Sequence, residues 1–303
     1  MTMPAIDCRI FVVGVPRSGT TLVQSLLAAH STMTSFTESH FFDRHFTILP
    51  LLSSPILTRN PSPRVQEFLA ENGEEPPKEV SWFDAKQRWA LRVRPLLPFQ
   101  TRPVARRLLR VFDELTLRRE KTSWIEKTPR HLRYIPFLEN VSNPNSSTRF
   151  VHVIRNGMEV VASLHGASQN WERHYDLNVC VKRWNSDVGF SLSRVGAPTD
   201  HFVFYEELTS EPEATLKVLL AGLGLGWEPD ILERYGRASD RLITGQESWK
   251  ADVGRSIRRS GTSERTLTQE QRNHVARLLR QGLYDELRER VERQSSEAVV
   301  TDG

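Results

Sequence analysis

From Gly14 to Thr21 the chain reads Gly-Val-Pro-Arg-Ser-Gly-Thr-Thr, a run whose residue types suit an anion. Glycines let successive backbone N–H groups turn toward one point, and a helix opening directly after the turn adds the positive end of its dipole. Nucleotide phosphates are cradled in this way. The nucleoside-triphosphate version closes on Gly-Lys-Ser/Thr, whose lysine reaches the β and γ phosphates. Here Thr20 stands in the lysine's place and the cation of the run is Arg17, inside the loop, which fits a shorter anion than a triphosphate. Outside such a loop Arg17 would read as a solvated arginine in a surface ion pair. Further along, Glu38 and His40 stand two apart and share a face in an extended segment, and either side chain could accept a proton. The plainer reading of Glu38 is a cap, or the partner of a nearby arginine.

The elements that must position these residues follow from periodicity. Arg9 to Val13 reads as a buried strand, and Thr20 to Ala29 as a helix with Leu22, Leu26 and Leu27 on one side, so the loop sits at a strand-to-helix junction. Thr34 to Thr37 is a second β-like stretch leading to Glu38, and an extended piece ends at Lys127 before Pro129 opens a helix. Then come a strand at Arg149 to Ile154, a helix at Gly157 to Ser168, a strand at His201 to Tyr205 and a helix at Pro212 to Leu223. One long helix is expected from Gln269 to Val291, with a frayed tail over 295–303. Repeated alternation of strand and helix predicts an α/β fold, three layers of helix, sheet and helix around a central parallel sheet of the P-loop type, with its site at the carboxyl ends of the strands. Residues 1–294 read as one domain. The Pro-rich and basic stretch over 53–119 reads as a helical cap inserted into it, with Val104, Leu108, Val111, Phe112 and Leu115 at helical spacing.

Composition narrows the class. The chain has 303 residues, 38% hydrophobic and 26% charged, which excludes a wholly disordered, collagenous or coiled-coil protein. Its two cysteines, Cys8 and Cys180, stand in no Cys/His cluster, so neither a disulfide framework nor a zinc site is indicated and no metal is called for. The start of the chain lacks a basic segment followed by a long apolar one, and no window approaches a membrane span; a soluble, cytoplasmic protein is the expectation. A net charge of +4 identifies no partner by itself. The excess is uneven, because from Lys86 to Arg133 only Asp113, Glu114, Glu120 and Glu126 oppose a dense series of arginines and lysines.

Pro16-Arg17-Ser18-Gly19-Thr20-Thr21 resembles the phosphosulfate loop of the sulfotransferases that use 3′-phosphoadenosine 5′-phosphosulfate. That family's second signature is an arginine closing a strand and a serine in the next helix, which together hold the 3′-phosphate. Arg155 and Ser163 match its eight-residue spacing. The arginine in the loop and the downstream Ala29-His30-Ser31 look closer to the tyrosylprotein and bacterial branch than to the cytosolic steroid and phenol branch. The resemblance implies a transferase that moves the sulfuryl group to a hydroxyl of a small-molecule, carbohydrate or lipid acceptor, without a metal. Arg17, Thr20 and Thr21 would neutralise the departing phosphate. Lys127, in Glu-Lys-Thr-Pro, would support the transferring group; its bland reading is a lysine snorkelling at a strand end. Glu38 lies 17 residues after Thr21, where the tyrosylprotein branch has its catalytic glutamate, while cytosolic relatives use a histidine and make His40 the competitor. Tyr205 falls at a family position near the nucleotide, with a core tyrosine the equally natural reading, and Ser256 and Arg258 fall in a stretch similar to the late nucleotide-contacting loop.

Two other readings compete. A small-molecule P-loop kinase shares the strand, loop and helix, but the loop lysine and a clear Mg²⁺-binding aspartate are missing. A nucleic-acid-binding protein could use the basic helices over 86–133, which carry no recognised reading motif and are read as a solvated face. A basic cap would equally suit an anionic acceptor.

Overall fold

The computed structural model describes residues 5–48, 55–57, 101–142, 147–171, 174–242, 257 and 261–301. Strand β1 (Cys8–Gly14) is buried along its whole length. Its side chains alternate between two cores: Phe11 and Val13 join Phe36, Phe112 and Trp124, whereas Ile10 and Val12 join Leu26, Ile125 and Leu220. A strand apolar on both sides in this way needs a layer of helices on each face. Strand β2 (Met33–Ser35) follows, then a short antiparallel ribbon of β3 (Phe46–Thr47) and β4 (Ile56–Leu57), and then β5 (Ser123–Lys127), β6 (Ser147–Ile154) and β7 (Asp200–Phe204). Apart from the ribbon these make one parallel sheet in the order β2-β5-β1-β6-β7.

That order places the site. From β1 the chain first builds one side of the sheet, β2 and β5, and then the other, β6 and β7. Connections therefore diverge at the carboxyl end of β1, where a parallel sheet opens its crevice. Helix α1 (Thr20–Ala28) leaves that end directly. Helices α2 (Phe41–His45), α3 (Thr101–Arg118) and α4 (Ile135–Val141), with a 3-10 turn over Pro129–Tyr134, pack toward the Phe11 face. A third core gathers α5 (Gly157–Ser168), α6 (Leu177–Ser193) and the later chain around Trp184. The rest is α7 (Tyr205–Ser210), α8 (Pro212–Gly222), α9 (Ile231–Leu242), α10 (Thr262–Thr266), α11 (Gln269–Leu278) and α12 (Gly282–Thr301).

The expected α/β fold with its central parallel sheet is the fold observed, and α5 has the expected bounds. Several elements differ. The long helix expected over 269–291 is two helices, because Leu279 turns to extended backbone after α11 and α12 starts afresh at Gly282. The tail expected to fray from 295 stays helical to Thr301. Pro129 opens a 3-10 turn before α4, in place of an α-helix. Helix α6 was not expected, since its sequence mixes serines, a glycine and two asparagines with apolar residues. An N-cap at Asp176 starts it, and buried Cys180, Val181, Trp184 and Val188 keep it on the core. Of the expected cap over 53–119, residues 53–54 and 58–100 lie outside the described residues. In α3 the arginines at 102, 106, 107 and 110 form the exposed face, while Leu108, Phe112 and Leu115 are buried.

Two glycines let the loop after β1 turn. Gly14 has φ 148°, and a Cβ there would stand 2.6 Å from the Val153 carbonyl oxygen of β6. Gly19 has φ 98°, and a Cβ would stand 2.3 Å from the Tyr205 ring. Gly19→Ala should therefore destabilise the chain by roughly 2 kcal/mol or more, seen as a fall of at least about 4 °C in thermal midpoint. Gly166→Ala, with nothing within 4 Å of the added carbon, should leave the midpoint unchanged or slightly raised.

Candidate active site

The loop from Val15 to Gly19 is a tight turn in which the Ser18 N–H donates to the Val15 carbonyl at 3.1 Å. Arg17 adopts φ 76°, left-handed backbone that a bulky residue seldom keeps without a tertiary constraint. The constraint is visible. Arg17 Nε donates to the Ser163 hydroxyl at 3.1 Å, and Arg155 Nη1 donates to the Arg17 carbonyl at 3.3 Å. Two signatures separated by 146 residues thus meet at the carboxyl ends of β1 and β6. Thr20 and Thr21 open α1, whose first N–H groups have no partner four residues back. Pro16 is half-buried, whereas the Ser18 hydroxyl is fully buried and has no hydrogen-bond partner. An unpartnered hydroxyl in a loop that opens a helix is a donor that a bound anion would satisfy.

Arg155 is buried at the end of β6 and fixed from several sides. Its guanidinium lies 4.3 Å from the centre of the Tyr205 ring, and Nη2 is 3.5 Å from Glu159 Oε2. Trp184 donates to its carbonyl at 3.1 Å. Tyr205, expected to end the strand, instead opens α7, one residue past the observed strand end at Phe204. Because its ring covers both Gly19 and Arg155, it joins the loop to β6. Glu159 also accepts from the Thr262 N–H at 2.7 Å, which draws the start of α10 toward Arg155. Sequence reading missed Glu159, although its place four residues after Arg155 on a helix was a usable signal.

A second cluster lies at the ends of β2 and β5. Lys127, the last residue of β5, is buried and forms an ion pair with Glu38. The other Glu38 oxygen faces His40 Nε2 at 3.2 Å, and His40 Nδ1 lies 3.1 Å from Asp43 Oδ1. Glu38 is three residues past the end of β2, and His40 takes left-handed backbone with φ 52°. A turn, rather than the expected extended segment, brings the two candidate bases together. Burial works against a charged His40 ring, yet the hydrogen bonds it donates to the Asp43 and Glu38 carboxylates, with their negative charge, outweigh it and push its pKa up to about 9. At neutral pH His40 is a cation, which donates and does not accept.

Behind this cluster the Glu126 carboxylate is wholly buried and hydrogen-bonded to its limit. It accepts from Ser39 at 2.7 Å, Thr128 at 2.5 Å and His131 Nδ1 at 2.9 Å. These partners span the Glu38–Ser39–His40 turn, the residue after Lys127 and the 3-10 turn, so one carboxylate fixes the whole cluster. Neither Glu126 nor Asp43 was expected. The signals available were the acid beside Lys127 and the three-residue step from His40 to Asp43.

Ser256 and Arg258 lie outside the described residues. Among those described, no set of His, Cys, Asp and Glu is gathered as for a metal, and no helix is long and apolar enough to cross a membrane. Trp124 and Trp184 are core residues.

The family model described as Sulfotransferase family matches residues 9–229. The fold is similar to the sulfotransferase domain of the Synechococcus PCC 7002 olefin synthase, at TM-score 0.51 and 22% identity over 91% of this chain and 96% of that one. It is equally similar, at 0.51, to the sulfotransferase domain from the curacin biosynthetic pathway, 20% identical over 96% and 98%. Mouse sulfotransferase SULT7A1, solved in complex with PAP, matches at 0.51 and 12% identity over 91% and 86%. A curated relative, an uncharacterized protein of Aquifex aeolicus (strain VF5), is 24% identical over 243 residues, 75% of this chain and 26% of its own, so this chain spans about a quarter of that relative's length.

His40 also yields a pH test. Its pKa of about 9 in the folded chain stands above the ordinary 6.5, so its stabilisation is complete below about pH 6.5 and is lost as pH rises through 9. Denaturant unfolding from pH 6 to 10 should show wild type losing on the order of 3 kcal/mol relative to His40→Gln. Parallel curves for the two proteins would contradict the charged assignment.

Proposed function

The chain belongs to the sulfotransferase family, and from that premise we propose that it transfers the sulfuryl group of 3′-phosphoadenosine 5′-phosphosulfate to an acceptor hydroxyl, releasing adenosine 3′,5′-bisphosphate. The observation that carries the donor is the contact of Arg17 with Ser163 and Arg155, which joins a loop suited to a 5′-phosphosulfate to an arginine and a serine suited to a 3′-phosphate. A nucleoside triphosphate has no 3′-phosphate to occupy the second group. The buried, unpartnered Ser18 hydroxyl and the N–H groups opening α1 supply the remaining donors.

In this reading the SO3 group passes in line from the phosphate oxygen to the acceptor oxygen, by analogy with phosphoryl transfer. Arg17 and the loop N–H groups balance charge growing on the departing phosphate. Lys127, held by Glu38 before the donor arrives, supports the transferring group. Glu38 accepts the acceptor's proton, because His40 already carries one at neutral pH. His40 and Lys127 together hold the Glu38 carboxylate in a single orientation.

Turnover of the labelled donor in the presence of hydroxyl acceptors tests this. Glu38→Gln should reduce turnover by at least about 100-fold with bisphosphate affinity kept, and near-normal turnover in that variant would remove Glu38 as the base. Arg155→Ala should raise the donor KM by at least about 10-fold through loss of a bidentate phosphate partner. An unchanged KM would contradict the 3′-phosphate assignment.

A further inference from the structure

Resting on that donor and hydroxyl reading, we propose that the cavity between the 3-10 turn and α6 is a second anchor for the acceptor, and that it takes an anionic group, carboxylate or phosphate, on an apolar body. The cavity measures about 420 Å³, within the range of small-molecule sites. One wall is cationic, with Arg130 and Arg133 from the 3-10 turn and Arg183 from α6. Another is apolar, formed by Phe46, Leu132 and the Tyr134 ring.

The charges on that lining do not balance. Asp187 is shared between Arg133 at 2.7 Å and Arg183 at 3.6 Å. Asp43 faces Arg130 Nε at 3.5 Å, but its closer partner is the protonated His40 at 3.1 Å. On the lining itself three guanidiniums therefore face two carboxylates, one of which is also engaged by His40. Arg133 is held for binding by its two contacts to Asp187 and by the Phe190 ring, 5.1 Å from its guanidinium carbon. The Arg130 side chain is 51% exposed and can meet an arriving anion with little rearrangement. Guanidinium forks bind carboxylate and phosphate in a bidentate manner, and an apolar wall beside them favours an amphipathic molecule over a free inorganic ion.

Position favours acceptor over donor. The donor's phosphates are read at β1 and β6, whereas this cavity adjoins the turn that follows β5, on the other side of β1. Its Asp43 wall connects through His40 to Glu38. In the proposal an acceptor anchored by its anion beside Arg130 extends along this chain of contacts to present its hydroxyl to Glu38.

Calorimetric titration of the full chain, saturated with adenosine 3′,5′-bisphosphate, with octanoate, octyl phosphate and octanamide tests the anchor without needing the true acceptor. At least one anion should bind about 10-fold or more tighter than the amide, about 1.4 kcal/mol, and the better anion identifies carboxylate or phosphate as the group. Arg130→Gln and Arg183→Gln, each checked for an unchanged thermal midpoint, should both reduce that preference to within about 3-fold, about 0.6 kcal/mol. Equal binding of anion and amide, binding of none of the three, or a preference that survives both substitutions would overturn the proposal. The bisphosphate saturation step reads the donor assignment separately. Its failure with the anion preference intact would remove the donor reading and keep the anion seat, and the opposite pattern would remove the seat alone.

Discussion

The hydrogen bond from Arg17 to Ser163, with Arg155 reaching back to the Arg17 carbonyl, ties the loop after β1 to the helix after β6. It demands left-handed backbone at Arg17, a glycine at position 19 under the Tyr205 ring, and a strand pair β1 and β6 in register up to Gly14 and Val153. Each demand is met by a different part of the sequence. Moving any of them displaces the guanidiniums relative to the N–H groups that open α1, and charge stabilisation in a site of this kind depends on donors fixed before the ligand arrives.

The second cluster shows how the sheet supplies opposite charges to one point. Lys127 ends β5 and Glu38 follows β2, and these neighbouring strands run parallel, so their carboxyl ends emerge side by side. A lysine buried to this degree is stable because a carboxylate meets it, and that carboxylate is itself oriented by His40 and Asp43. The buried Glu126 secures the turn from behind. The outcome for His40 is physical: the hydrogen bonds that place it beside Glu38 also keep it protonated.

Much of this was legible in the sequence, for identifiable reasons. Strand β1 and helices α1 and α5 were readable because their apolar periodicity is strong and glycines or polar caps mark their ends. Arg17 stood out because its loop falls at a strand-to-helix junction, and Arg155 and Ser163 because their spacing matches the family's second signature; the structure brings the three together. Helix α6 was not, since its weak intrinsic propensity is overridden by packing around Trp184. The contact of Glu38 with His40 depends on a left-handed turn at a histidine, which no periodicity encodes. The roles of Glu126 and of the arginines around Asp187 depend on which elements pack together, and that is a property of the fold. The expected positions Ser256 and Arg258 fall outside the described residues.

In the proposed reading the β1 loop and Arg155 form one seat for a nucleotide bearing phosphates at both 3′ and 5′ positions. Calorimetric titration of the purified chain with adenosine 3′,5′-bisphosphate, set against ATP with Mg²⁺ on the same preparation, addresses that seat most directly. Binding of the bisphosphate at micromolar strength or tighter, with little binding of ATP, is the predicted result. Tight ATP binding with no bisphosphate binding would contradict it and put a phosphoryl-transfer reading of the same loop in its place.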